Sequence, residues 1–252
     1  MAEQLITLDG FPLTGISRDG IWKVNSIPGW RERPDVKTRS ESRTRGHGSF
    51  RTPVEYGNRL VTINGRVISK SHDYLHQAED KINALGFMGG ARLLVKGHGP
   101  TQWAKVDPAG KITCRSESDK LLTFQIPLEA IDPFKYGESH APSGSLGSPF
   151  DLFQRGTVPA WPVVTVSGSI PNGYELTLNG RLVSVNRPVV SGSPHTVDMA
   201  TGILRVGGSV ARGGFEYSEL LSIAPGLPQN FYSVAKNTGS GTVTVRYYDT
   251  YI

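Results

Sequence analysis

Apolar positions along residues 1–136 follow two rhythms. Alternation with a period of two marks strands at 4–8, 21–27, 59–68, 91–95, 102–106, 111–115 and 121–128. One stretch, 71–85, instead carries Tyr74, Leu75, Ala78, Ile82 and Leu85 at helical spacing. Ser71 is placed to cap its start, Asp73 sits in the first turn where it complements the dipole, and Gly86 is a natural stop. The stripe predicts a helix packed on a sheet, with a partner helix as the alternative. Asn64-Gly65 interrupts the strand at 59–68 with the residue pair that favours a type I′ hairpin; a bulge, or a strand that continues through the glycine, is the alternative.

Residues 137–252 show no helical stripe. Short apolar runs at 163–167, 174–178, 181–186, 193–197, 203–206, 218–223, 231–236 and 242–248 are separated by turn residues, with a second Asn-Gly pair at 179–180. Regularly spaced short strands predict an antiparallel β-sandwich. The Gly/Ser/Pro-rich stretch at 137–149 reads as a domain boundary or a long exposed loop. The fold class is therefore mainly β: an N-terminal β-sandwich or split barrel with one flanking helix at 1–136, and a second β-sandwich at 137–252. The chain's 30 glycines and 17 prolines agree with many tight turns.

Between Trp30 and Arg51 the alternation stops. The segment WRERPDVKTRSESRTRGHGSFR carries Arg31, Arg33, Lys37, Arg39, Arg43, Arg45 and Arg51, with His47, against Glu32, Asp35 and Glu41. A patternless stretch of this length inside a compact domain is usually functional or disordered. It suits a solvated loop, an arm that reaches a neighbouring subunit, or a phosphate contact. The net charge of +5 is too modest to single out nucleic acid.

Candidate chemistry is sparse. The single cysteine, Cys114, lies in an alternating segment and cannot form an internal disulfide. His72 and His76 share a helix face at i, i+4, but the H-E-x-x-H pattern is absent, so exposed polar-face histidines are the expectation. His47 and His98 sit between glycines, at loop positions. No nucleophile elbow, Walker loop or C-x-x-C occurs. The sequence predicts no enzyme, no cofactor and no metal site. MAEQLITLDG lacks the features of a signal peptide, and no run is long enough to span a bilayer, so a soluble product made in the cytoplasm is expected.

The order of these features resembles that of the distal tail proteins of long-tailed bacteriophages, a siphovirus-type tail component. The resemblance rests on a strand pair, a polar loop ending in Arg45-Gly46-His47-Gly48, the segment GNRLVTINGRVIS, one helix, and strands closing on PLEAIDPFKYG. YELTLNG at 174–180, HTVDM at 195–199, APGL at 224–227 and the terminal VTVRYYDTYI continue it. Leu227-Pro228-Gln229 before Asn230 departs from the family's last loop.

The resemblance implies a ring-forming domain at 1–136 and a galectin-like β-sandwich at 137–252. It further implies a homo-oligomeric ring of six at the tail tip or baseplate of the virion, assembled from chains made in the bacterial host cytoplasm. Its implied partners are the tail tube protein, the tape measure protein, and tail-tip hub and receptor-binding proteins, with roles in host attachment and genome ejection. Phage DNA would pass through the central channel without sequence-specific binding, and no membrane insertion is implied. The basic residues Arg31 to Arg51 are then candidates for a subunit-interface loop. The alternative is a carbohydrate-binding protein that uses the second sandwich for host recognition, with Trp161, Tyr217 and Phe231 as the aromatics to test.

Overall fold

A computed structural model describes residues 4–37, 41–43, 45, 47, 49–50, 53–97 and 99–252. The chain divides into two compact units, residues 1–135 with Ile252, and residues 136–251. Among the described residues every paired strand is antiparallel and there is one helix, so the fold is mainly β.

In the first unit the Arg59–Ser69 strand is the axis. It pairs on one side with Leu121–Ala130 and on the other with Gly20–Ser26, beyond which Gly15–Ile16 ends the sheet. Leu121–Ala130 also pairs with Thr113–Ser118 and, at its far end, with Gln102–Pro108, from which the ladder continues through Ala91–Lys96 to Leu5–Leu8. Alternation sends Val61, Ile63 and Val67 into the core with Leu122, Phe124, Ile126 and Leu128. The helix, His72–Ala84, buries Leu75, Ala78 and Ile82 in the same core and is capped by Ser71, whose Oγ accepts from the Tyr74 amide. Gly86 follows with φ 71°, the left-handed stop. Lys81, in the last helical turn, pairs with the buried carboxylate of Asp19.

The hairpin expected at Asn64-Gly65 does not form, because the strand runs straight through the glycine. Phe124 stands opposite Gly65 in register, and a Cβ there would lie 2.3 Å from its ring and 2.8 Å from the Lys23 carbonyl. The glycine leaves room for a packed aromatic group in which Trp22 meets Phe11 edge-on at 5.1 Å and Phe124 at 6.1 Å. At Asn179-Gly180 the outcome is the opposite. Both residues take positive φ, 53° and 76°, between Tyr174–Leu178 and Arg181–Val185, which is a type I′ hairpin.

The second unit is built from two sheets. One runs Ser209–Val210, Ile203–Val206, His195–Asp198, Val163–Ser169, Ser240–Tyr251; the other runs Phe150–Leu152, Gln229–Ala235, Tyr174–Leu178, Arg181–Val185, Phe215–Ser218. Their inward residues, among them Val164, Val166, Val243 and Val245 with Leu176, Val183 and Phe231, share one core. The stretch at 137–149, read as a domain boundary or a long exposed loop, begins just after the division between the units and contains strands where a long loop was the alternative. Lys135–His140 and Ser143–Ser145 are strands beside Ser240–Tyr251. Small residues allow the close approach there: a Cβ on Gly144 would lie 2.8 Å from the Phe150 ring, and one on Gly137 would lie 2.9 Å from the Tyr251 ring. The strand expected at 218–223 is shifted to Phe215–Ser218, and residues 219–222 lie outside any strand.

His195 lies in this second core beside Tyr174, ring centroids 5.7 Å apart. Neither of its nitrogens makes a hydrogen bond of normal geometry. Burial holds the ring below the usual histidine range, an effect that the Pro188 carbonyl only partly offsets.

Two stability predictions follow from these packing contacts. Gly65→Ala should cost about 1–3 kcal/mol, since an overpacked site must displace an aromatic ring and backbone; denaturant unfolding measures it, and an unchanged midpoint would refute the close-approach argument. Because His195 is held neutral in the fold while the unfolded ring titrates near 6.5, stability should fall as pH drops below 6.5. His195→Gln should flatten that part of the profile.

Candidate functional site

Described residues of the basic stretch pair as short strands. Val36–Lys37 pairs with Glu55–Tyr56, and within that span Glu41–Ser42 pairs with Ser49–Phe50, so two short antiparallel ladders are nested in sequence. We call this segment, whose described residues include these two short ladders, the arm. Arg31, Arg33, Lys37, Arg43, Arg45 and His47 are exposed along it; Arg39 and Arg51 lie outside the described residues. Two of the arginines lie over aromatic rings. Arg33 lies 5.3 Å over the Tyr56 ring and donates to its hydroxyl (2.8 Å), and Arg43 lies 5.6 Å over Phe50, itself exposed. Val36, Phe50 and Val54 add exposed apolar surface to the same arm.

The root of the arm is held by two buried cations. Arg59, fully buried at the head of the central strand, donates through Nε to the Pro133 carbonyl (2.9 Å) and through Nη1 to the carbonyls of Gly29 (2.9 Å) and Glu32 (2.6 Å). Lys135 donates to the Trp30 carbonyl (3.0 Å) and sits 5.7 Å over the Trp30 ring. Trp30 is itself buried. No carboxylate pairs with either cation among the described residues; backbone carbonyls take that role. Burial lowers the affinity of Arg59 for its proton, and burial together with Arg59 and Arg31 pulls the Lys135 ammonium down to about 8. A cavity of about 140 Å³ adjoins the clasp, lined by Glu32, Arg33, Asn58, Arg59 and Leu60.

Arg59 and Lys135 are the buried cations that motif reading missed. A signal for Arg59 exists: it stands in phase with Val61, Ile63 and Val67, on the inward side of an alternating strand, where a charge must find partners. Lys135 carries no comparable mark.

The other candidates resolve into ordinary packing. Cys114 is half-buried on its strand, and burial with a contribution from Glu79 pushes its thiol up to about 11, away from thiolate chemistry. His72 and His76 touch through their Nε2 atoms (3.0 Å) on the exposed helix face, with Glu79 3.5 Å from His76 Nδ1. In the second unit Glu138, His140 and Asp249 place one ligand atom each within 4.8 Å. The Asp249 Oδ1 atom there already accepts from His140 Nε2 (3.0 Å) and from the Arg155 amide (2.8 Å), and His140 stacks on Tyr247. His98 lies outside the described residues. Of the aromatics weighed for sugar binding, Phe231 is spent in the core; Trp161 and Tyr217 are exposed, and the Tyr217 hydroxyl donates to Glu219 (2.9 Å).

No protein-family model and no curated protein sequence matches the chain. Solved structures do. The matches are components of phage tail assemblies. SPP1 Dit, described as a paradigm of the hub adsorption apparatus in phages that infect Gram-positive bacteria, superimposes with a TM-score of 0.72 over 99% of each chain at 12% identity. Two structures of the phage p2 baseplate in its activated conformation, with strontium and with calcium, match at TM-scores of 0.47 and 0.45 with 7% and 8% identity, each over 96% of this chain and 97% of the other. The chain thus has the fold of SPP1 Dit from end to end. No helix among the described residues is long and apolar enough to cross a membrane.

The clasp makes a pH prediction. Between pH 8 and 10.5 the unfolded chain holds the Lys135 proton that the folded chain has released, so this group adds stability as pH rises through that window. The difference in unfolding midpoint between wild type and Lys135→Met should therefore change across the window, and a constant difference would contradict the assignment.

Proposed function

We propose that this protein is a structural, non-enzymatic hub of a phage tail tip. Its copies close into a ring, six in number, through the first unit, leaving a central channel through which DNA passes without being read. The ring lies between the tail tube protein, with the tape measure protein inside it, and the tip and receptor-binding proteins. The observation that carries this reading is the full-length match to SPP1 Dit across both units, in a chain whose described residues form no catalytic constellation. Identical subunits that meet through two different patches form either a ring or a filament, and closure selects the ring.

Within that reading the arm is a subunit contact. It presents cations and apolar groups together, and its root is clasped tightly enough by Arg59 and Lys135 to transmit a fixed direction. Sugar recognition by the second unit is the competing function. Tyr217 is the aromatic that keeps it testable, and a glycan array on the full chain addresses it.

Native mass measurement with negative-stain imaging tests the hub. Rings of six with a central hole are expected from the full chain. Deletion of residues 37–47 should leave both units folded by circular dichroism and abolish the ring; an intact hexamer from that deletion would remove the arm from the interface.

A further inference from the structure

The outward face of the central sheet in the first unit is patterned in rows. Ile16 pairs with Ile21, Ile21 with Ile68, and Ile68 with Leu121, so four aliphatic side chains run side by side across four strands and off the end of the sheet. Ile16 is 85% exposed, and Ile21 and Ile68 are each 39% exposed. Single exposed aliphatics are ordinary, but a continuous row on one face marks a contact surface. The next outward row is basic: Lys23 is paired with Arg66, Arg66 with Thr123, and Thr123 with Arg115. Lys23 and Arg66 are directly opposed like charges, which costs stability. Neither has an ion pair among the described residues; Arg115 contacts Glu117 at 3.4 Å.

The complementary pattern is present on a different face of the same unit. The helix turns Leu75, Ala78 and Ile82 into the core and leaves Asp73 and Asp80 exposed at i, i+7, without ion pairs among the described residues. Directly after the helix, Phe87 and Met88 project into solvent, 84% and 90% exposed. Their turn is held, with the Gly89 amide donating to the Gly86 carbonyl (2.9 Å) and the Gly90 amide to Asp107 Oδ1 (2.5 Å). An open depression of about 330 Å³, lined by Gln4, Thr14, Ile16, Ile21, Trp22 and Lys23 among others, adjoins the aliphatic row.

We infer that the sheet face of one copy binds the helix face of the next. Phe87 and Met88 cover the Ile16–Ile21–Ile68 row, while Asp73 and Asp80 meet Lys23 and Arg66. The contact joins two unlike patches, so it is heterologous and propagates around a ring. It buries the exposed aliphatics and relieves the opposed cations in one step. This rests on the ring reading above and specifies which surfaces close it.

Cross-linking tests the pairing in the full chain. In a Cys114→Ser background, Ile68→Cys chains mixed with Met88→Cys chains should yield a disulfide-linked dimer under mild oxidation, and neither variant alone should do so. Lys23→Glu with Arg66→Glu should abolish the wild-type oligomer, and mixing with Asp73→Lys, Asp80→Lys chains should restore association. Apart from the half-buried Cys114, replaced by the near-isosteric serine in every chain, these positions are exposed, so circular dichroism should match that of the Cys114→Ser chain. If wild type forms rings but the mixture gives no cross-link and the charge-reversed chain still assembles, the sheet-to-helix contact is wrong and the ring reading stands. If wild type remains a monomer at every concentration and no cross-link forms, the ring reading falls and takes this contact with it.

Discussion

The first unit is organised around a buried guanidinium that backbone carbonyls hold, with no acid paired to it among the described residues. Arg59 enters the core at an inward strand position and must be satisfied there, since an unpaired buried charge costs several kcal/mol. Its fork collects carbonyls from Gly29, Glu32 and Pro133, segments far apart in sequence. Lysine is a poor replacement, because its three donors sit on one nitrogen, whereas Arg59 bonds from two separate nitrogens of a rigid planar fork. The lysine that is present, Lys135, adds a single bond to the Trp30 carbonyl and accepts a depressed proton affinity in return. Where the arm leaves the sheet is thus set by one side chain and its neighbour.

Most of the regular structure was legible because it follows from burial phase. The helix was visible from Leu75, Ala78 and Ile82 and its serine cap, and the long strands from alternation. Failures occurred where a residue's neighbour in space, rather than in sequence, decided the outcome. Asn64-Gly65 has the local chemistry of a turn, yet Phe124 across the sheet needs the space that glycine leaves. The glycines and serines at 137–149 look like a long loop, but Gly137 and Gly144 are small so that aromatic rings can lie against a strand. The arm ladders, only two residues long in each strand, are too short for any periodicity to register. Its arginines were recognisable as a group, but the side chain that anchors them, Arg59, lies outside the segment.

A fold shared with SPP1 Dit at 12% identity is consistent with the same physics. In this chain the fold is set by the alternation that places valines and leucines inward on each strand, together with glycines that permit close approach. Surface residues are free to diverge, and the surfaces decide which partners a tail protein meets. The likeness therefore speaks to architecture alone.

The two Asn-Gly pairs also differ in what they would tolerate. Nothing lies within 4 Å of a Cβ at Gly180, at the tip of a tight hairpin, whereas Gly65 is enclosed on both sides. An epitope or fluorophore-bearing peptide spliced between Asn179 and Gly180 would hang from two strands already held in register. The second unit thus offers an attachment point for labels that leaves its core packing untouched, a practical handle for locating it within any larger particle.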